Sequence, residues 1–411
     1  MKFAADDWPE GKYELMTTLR SEKTGERLAV ARSYVEILPP SDFEVGFDFD
    51  RTCYVNGQPF FPIGVYDVSK YMLDRMNVMR EKTGIPARSM REIMTDVKSH
   101  GFNFCMMGDG FPSEEMMTLA DELGLYLCPS GIRVWVGEID DYLAQANRHR
   151  CVLAWYGQDE MSDVGDVINS SIDVYSRFRE RDPHRPVISA FCNWNPALVE
   201  RALKALDIMM PDPYPIPRFP ITTVSDDTDT AARYMGNRAG LWMVLQSFPN
   251  PRVPTPEESR CMAYLAITHG AKGLIWYTLQ CDGTFVEGSA QGWSLPDNPE
   301  LWSFFKALNS EISGLAAPIL QGMPVPEVSA SPEIHIRALE YQGSLYIIAV
   351  NGTRSEVNAI ISGVAGSGTC EVINEDRSVP VCGGEIKDSF QPLGVHIYDR
   401  GSIRVVGHCG N

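Results

Sequence analysis

Long apolar runs are missing from this chain: none reaches the roughly 18 residues that span a membrane. The start, Met1-Lys-Phe-Ala-Ala-Asp-Asp7, has no apolar stretch behind it, so no secretory signal is visible. The localisation expected is a soluble protein, cytoplasmic or exported. Basic charge is also scarce, with 36 Lys and Arg against 54 Asp and Glu, a net charge of −18. A nucleic-acid partner would need a basic face, and an anionic membrane surface would repel this one. Neither charge rule touches a neutral ligand. The ten cysteines show no CxxC pair and no finger spacing, and histidines number only seven. No metal site and no organic cofactor is therefore expected.

What is present is a globular composition: 411 residues, 44% hydrophobic and 22% charged, enough for two or three domains. Cys105, Cys128, Cys151 and Cys192 fall in apolar strand-like runs and read as small core residues. Cys370 and Cys382 flank a hairpin-like stretch and would pair if the protein is exported. Residues 12–38 alternate in strand fashion and close at Pro39-Pro40.

From about residue 50 the pattern becomes strands alternating with amphipathic helices, the signature of a parallel sheet. Apolar strands are expected at 61–66, 102–107, 125–129, 152–156, 186–191, 207–210, 241–246 and 273–277. Ser89-Met-Arg-Glu92 and Thr255-Pro-Glu-Glu258 are capping boxes, and Asn195-Pro196 and Asn298-Pro299 set a cap before a proline. Gly101, Gly124 and Gly270 stand where helices should stop. Trp302, Phe305, Leu308, Ile312 and Leu315 recur at helical spacing and predict one core-facing stripe. Eight such units in residues 49–322 have the size of a (β/α)8 TIM barrel. After Pro324-Val-Pro326 helix signals vanish, and 323–411 reads as a β-sandwich, with 1–48 supplying strands at the other end that could complete it. The fold class expected is α/β, a barrel with flanking sandwich strands at both ends. Gly363-Val-Ala-Gly-Ser-Gly368 precedes no helix and reads as a turn, not a phosphate loop.

In such a barrel, chemistry sits at the carboxyl ends of the strands. The residues expected there are Tyr66-Asp67, Gly108-Asp109-Gly110, Ser130-Gly131, Gln158-Asp159-Glu160, Cys192-Asn193-Trp194, Asp212-Pro-Tyr214, Gln246-Ser-Phe248, Trp276-Tyr277, Cys281-Asp282 and Glu287. Carboxylates, amides and aromatics dominate this rim and no histidine enters it. That inventory suits sugars: carboxylates move protons, amides bond hydroxyls, and aromatic faces stack on pyranose rings. It does not suit phosphoryl transfer or a histidine zinc site. Glu160 ends a buried run, Cys151-Val-Leu-Ala-Trp-Tyr156, and is the expected general acid/base, with Asp159 beside it as a positioning group. Both could instead complement the dipole of the helix that follows. Tyr66, Tyr214, Trp276 and Trp293 are expected platforms, and Asp109, Asn193, Gln246 and Glu287 expected substrate contacts.

Tyr54-Val-Asn-Gly-Gln-Pro-Phe-Phe-Pro-Ile-Gly64, the segment ending at Glu160, Asp212-Pro-Tyr-Pro215 and Gly270-Ala-Lys-Gly-Leu-Ile-Trp-Tyr277 resemble the clan A glycoside hydrolases, in particular relatives of the β-galactosidase and β-glucuronidase group. The resemblance covers residues 50–320. It implies a glycosidase acting on a carbohydrate, with Glu160 as acid/base. Two departures stand out: Asp159 where the clan has asparagine, and Gln246 where it has its nucleophilic glutamate. An amide cannot form a glycosyl ester. Four routes around that remain open. Asp212 could be the nucleophile or base; Asp109 or Glu287 could activate water; Gln246 could orient a substrate N-acetyl group that attacks in its place. In the fourth, the site binds glycans without turnover.

Overall fold

The computed structural model describes residues 8–108, 110–130, 139–162, 164–281 and 292–401, with the side chains of 33 and 34 set aside. Asp109, Gly131, Asp282 and Glu287, all expected at strand ends, lie outside these.

Two parallel sheets carry the central part of the chain. One has the order Gly240–Leu241, Ile208–Pro211, Val187–Phe191, Trp155–Tyr156. The other runs Met243–Gln246, Leu274–Tyr277, Ile63–Val65, Phe104–Met106, Tyr126–Cys128. Every pairing within them is parallel. Only Trp242 separates Leu241 from Met243, and a parallel bridge joins Leu127 to Val152. The sheets thus touch at both ends of their strand order. All eight strands fall within a few residues of their expected positions.

Period-two alternation along these strands sorts the side chains into two apolar layers. Tyr66, Phe104, Met106, Leu153, Tyr156, Ile188, Met210, Trp242, Val244 and Ile275 form an inner cluster. Val65, Cys105, Trp155, Phe191, Met209, Leu245 and Trp276 belong to an outer cluster with the helices. Gly64 belongs to the inner layer. A Cβ there would lie 2.6 Å from Ile275 Cδ1 and 2.8 Å from Phe104 Cδ1, so only glycine lets those side chains meet across the interior. A small antiparallel unit, Val45–Phe47, Cys53–Val55 and Gln58–Pro59, packs Phe43, Cys53 and Val55 onto the same inner cluster.

The helices begin and end where the sequence predicts. Ser89 and Thr255 form complete capping boxes; Asn195 and Asn298 cap helices with proline in the first turn. Gly124 closes Glu114–Leu123 in the left-handed conformation, φ 61°. In Pro299–Gln321 the whole predicted stripe, Trp302 to Leu315, is buried.

Beyond residue 322 the chain forms a nine-stranded antiparallel sheet that curls over its own core. Helix Pro256–Thr268 holds it through Arg260 donating to the Val395 carbonyl at 2.8 Å, Arg337 donating to the Ile267 carbonyl at 2.8 Å, and Arg354 bonding Glu258 at 2.8 Å. Two expectations are corrected. Among the described residues the N-terminal strands Gly11–Arg20 and Arg27–Ile37 pair only with each other and do not complete this sheet. Cys370 is a free, buried thiol, so it does not pair with Cys382.

Candidate functional site

The expected site residues that are described lie at the carboxyl ends of the parallel strands, and several meet in one cleft of about 380 Å³ lined by Tyr66, Asp159, Glu160, Ala190, Asp212, Tyr214, Phe248, Asn250 and Tyr277. That volume is in the ordinary range for a small-ligand site, ~300–1,000 Å³.

Strand Trp155–Tyr156 delivers the first carboxylates. Trp155 points outward, its indole donating to Asp182 at 2.7 Å; Tyr156 points inward. Gly157 follows, where a Cβ would sit 2.8 Å from Ser189 Oγ, so the chain passes close over the neighbouring strand. Glu160 then takes a left-handed backbone, φ 41°. For a residue with a Cβ that costs about 1–2 kcal/mol, strain of the kind that collects at functional sites.

Asp159 is exposed and accepts a very short hydrogen bond from Tyr156 Oη. Tyr156 Oη in turn accepts from Tyr66 Oη at 3.2 Å. Burial, reinforced by the negative charge of Asp159, drives both phenols well above the ordinary tyrosine range, so they stay protonated donors.

Asp212 follows strand Ile208–Pro211 and is 9% exposed. Prolines on both sides fix its backbone. Burial first, then the charges of Glu160 and Asp159, raise its carboxyl to about 8. It shares a hydrogen bond with Glu160, while its Oδ1 is buried with no partner at all. Glu160 was expected against apolar walls; it is exposed, and the buried carboxyl of the pair is Asp212.

Cys192, expected in the core, is exposed and also hydrogen-bonds Glu160. Burial of the thiol group and the flanking carboxylates push it up to about 12, so it is a thiol, not a thiolate, at neutral pH. Donor atoms of Glu160, Cys192 and Asp212 lie within 4.8 Å of one another, close enough to share a cation. A second such group, Asp121, His149 and Cys151, is accounted for by ion pairing: His149 bridges Asp121 at 2.7 Å and Glu114 at 3.1 Å.

Tyr66, Tyr214, Tyr277 and Phe248 form a continuous aromatic wall. Ring centroids are 5.3 Å apart for Tyr66 and Tyr277, 5.8 Å for Tyr214 and Tyr277, and 5.1 Å for Tyr214 and Phe248. Trp293 packs beside Phe248 and Cys281.

Three expected contacts fall elsewhere. Trp276 is fully buried on the outer face, edge-on to Phe305 at 4.7 Å, and cannot be a platform. Its neighbour Tyr277 lines the cleft instead. Gln246 is also fully buried. Its Oε1 accepts from the Ile216 amide at 2.9 Å, and its Nε2 donates to the carbonyls of Ile216 at 2.8 Å and Phe248 at 3.2 Å. This amide clamps two loops with both its N–H donors committed, and its full burial keeps it from a substrate. Asn193 is exposed at its strand end, bonded to the Asn195 amide at 3.1 Å, and does not line the cleft.

Tyr156 and Asn250 were not among the expected residues, and Cys192, Phe248 and Tyr277 were expected at the strand ends but with no role there. For three of them the signal was parity. Tyr156 lies two residues beyond inner Ala154, Cys192 two beyond Ala190, and Tyr277 two beyond Ile275.

No protein-family model and no curated protein matches the chain. Solved structures do. AmyP in complex with maltose superposes with a TM-score of 0.53 at 10% identity, over 77% of this chain and 90% of that one. An Anoxybacillus α-amylase gives 0.54 at 9% identity, again over 77% and 90%. A Bacteroides uniformis β-glucuronidase matches 95% of this chain but 48% of its own length, at 13% identity and a TM-score of 0.48. The amylase matches show a shared fold, mixed α/β with parallel-strand sheets.

Proposed function

We propose that this protein is a glycoside hydrolase, with residues 49–322 forming a closed (β/α)8 barrel between flanking β-rich segments at 1–48 and 323–411. The two sheets touching at both ends, through the Leu127–Val152 bridge and across Trp242, support closure. A fold shared with AmyP, bound to maltose, and with an Anoxybacillus α-amylase supports a carbohydrate ligand.

One observation carries the reading: the hydrogen-bonded carboxylate pair Glu160–Asp212, at strand ends, above an aromatic wall. Two carboxyl groups are what glycosidic cleavage needs, one to protonate the leaving oxygen and one to meet the oxocarbenium-like carbon. Glu160 and Asp212 bond each other directly, and their donor atoms lie within 4.8 Å. Inverting enzymes need a gap of about 6.5–9.5 Å for that water, and retaining pairs stand at about 5–5.5 Å. The pair therefore favours a double displacement.

The sequence put the acid on Glu160, and burial favours the other assignment. Asp212 holds the shared proton near neutral pH and donates it to the departing oxygen as the glycosidic bond breaks. Glu160, open to the cleft, attacks the anomeric carbon. Water then hydrolyses the glycosyl ester, giving its proton to Asp212. Asp159, tied to Tyr156, keeps the proton on the pair by its charge and orients substrate. The clan A resemblance of the strand-end motifs remains part of the proposal with the roles exchanged: Glu160 takes the part of the absent strand-7 nucleophile and Asp212 that of the acid/base.

The test is hydrolysis of a panel of aryl glycosides and natural oligosaccharides by the wild type, Glu160→Gln and Asp212→Asn. The expected result is turnover lost by ~10²–10⁴ in either variant, the usual worth of a positioned acid or base. Glycan binding that survives both substitutions, with no turnover in the wild type, would instead make the protein a glycan-binding barrel.

A further inference from the structure

We infer that Asn250 sets the specificity of the cleft: its side-chain amide donates to one sugar hydroxyl, which the substrate must therefore carry; this deepens the glycosidase reading and rests on it. The residue sits in Gln246-Ser-Phe-Pro-Asn-Pro-Arg252, with proline on each side restricting its backbone. The segment is anchored before and after it. Gln246 Nε2 donates to the Phe248 carbonyl at 3.2 Å. The backbone N–H of Asn250 donates to the Arg252 carbonyl at 3.1 Å, and the Arg252 guanidinium is forked onto Glu258 at 2.7 and 2.8 Å. Phe248, two residues earlier, packs edge-on to Tyr214 and Tyr277, with centroids 5.1 and 5.4 Å away. One short segment thus supplies part of the aromatic wall and holds Asn250 at the cleft.

Asn250 is partly buried, open enough to be reached, and lines the cleft together with Asp159, Glu160 and Asp212. Among the described residues nothing bonds its side-chain amide. Its neighbours offer the opposite half of a hydrogen bond. A carboxylate only accepts. Tyr66 spends its one proton on Tyr156, which spends its own on Asp159. A sugar hydroxyl lying against a carboxylate gives its proton to it, and its oxygen then needs a donor. Asn250 Nδ2 carries two N–H groups for that purpose, on a backbone that is already ordered before substrate arrives. A site built to hydrogen-bond a substrate hydroxyl rejects the analogue that lacks it, because the site's own groups are left unpaired.

The test is a cycle of substrates and variants. p-Nitrophenyl glycosides of glucose, galactose and mannose, both anomers of each, are screened, and kcat/KM is then measured for the best one and for its monodeoxy derivatives at each hydroxyl. The enzymes are the wild type, Asn250→Ala and Asn250→Asp. In the wild type, loss of one particular hydroxyl should cost ~10-fold or more. In Asn250→Ala that penalty should shrink to ~2-fold or less, while the penalties at the other hydroxyls stay as they were. Asn250→Asp keeps the shape and an acceptor but loses both donors, so it should behave like Asn250→Ala. A disturbed fold lowers every substrate alike, so the pattern across the deoxy series is read and not the absolute rate. An unchanged pattern in Asn250→Ala, or an Asn250→Asp variant that discriminates like the wild type, would overturn the role of Asn250 and leave the glycosidase reading intact. If no glycoside is hydrolysed, the glycosidase reading fails. Calorimetric titration of the wild type and Asn250→Ala with glucose, galactose and mannose then decides the role of Asn250 alone: binding weakened ~5-fold or more in the variant supports it, and equal affinities or no binding by the wild type sink it.

Discussion

Gln246→Glu is the substitution that most cleanly separates a clamp from a lost nucleophile. If position 246 were a catalytic site that had mutated to an amide, restoring glutamate should restore chemistry. The structure predicts the opposite. Oε1 of the new side chain could still accept from the Ile216 amide, but the second oxygen would face the carbonyls of Ile216 and Phe248, now 2.8 and 3.2 Å from a donor. Two buried carbonyls would lose their partner, at about 1–3 kcal/mol each. Protonating the carboxyl would return one of those bonds, but holding that proton at neutral pH costs about 1.4 kcal/mol per unit of raised pKa. The net loss is about 3–5 kcal/mol at pH 7. Because the folded pKa is raised, the loss attributable to charge should vanish below the unfolded glutamate value of about 4.3 and grow as pH rises. Urea unfolding at two pH values measures this as a lowered midpoint with an unchanged slope. A variant as stable as the wild type, or one that gains glycosidase activity, would refute the reasoning.

Three further outcomes follow from the same geometry. Asp212→Asn should raise stability on the order of a few kcal/mol at pH 7: with a folded pKa of about 8 the wild type loses stability as pH rises from 3.8 to 8, and the variant should show a flatter curve over that window. Cys192 should react slowly with iodoacetamide despite its exposure, since its thiol is raised to about 12, and a rate matching a free thiol would contradict that environment. Glu258, 1% exposed between Arg252 and Arg354, is lowered from 4.5 to about 2. Its contribution is present above pH 4.5 and lost as pH falls toward 2, so Glu258→Gln should be less stable than the wild type near pH 7, by about 2–3 kcal/mol, and converge with it in acid. Curves that stay parallel would contradict the assignment.

Strand positions and helix caps were legible because they depend on neighbours in sequence. The Ser89 and Thr255 boxes need only four consecutive residues, and alternation of apolar strands and helical stripes needs only a local window. The site was legible as a set of strand ends, and Glu160, Asp159, Asp212, Tyr66 and Tyr214 do meet there. What failed was orientation and long-range partnership. Trp276 was expected as a platform, though alternation from Ile275 assigns the inward face to Tyr277. Gln246 finds its partners at Ile216, thirty residues back, in a loop whose path no local rule supplies. Which of the two acids is buried likewise depends on how the neighbouring strand ends pack. The N-terminal hairpin has the alternation of a sheet member, and alternation does not say which sheet.

The central claim is that Glu160 and Asp212 share one proton and cleave a glycosidic bond with it. The most direct measurement is the pH dependence of kcat/KM for the best aryl glycoside, wild type beside Asp212→Asn. The account predicts a profile that falls as pH rises through about 8, where Asp212 loses its proton, and a variant that has lost both the rate and that descending limb. A wild-type profile flat through that region, with Asp212→Asn retaining full activity, would contradict it.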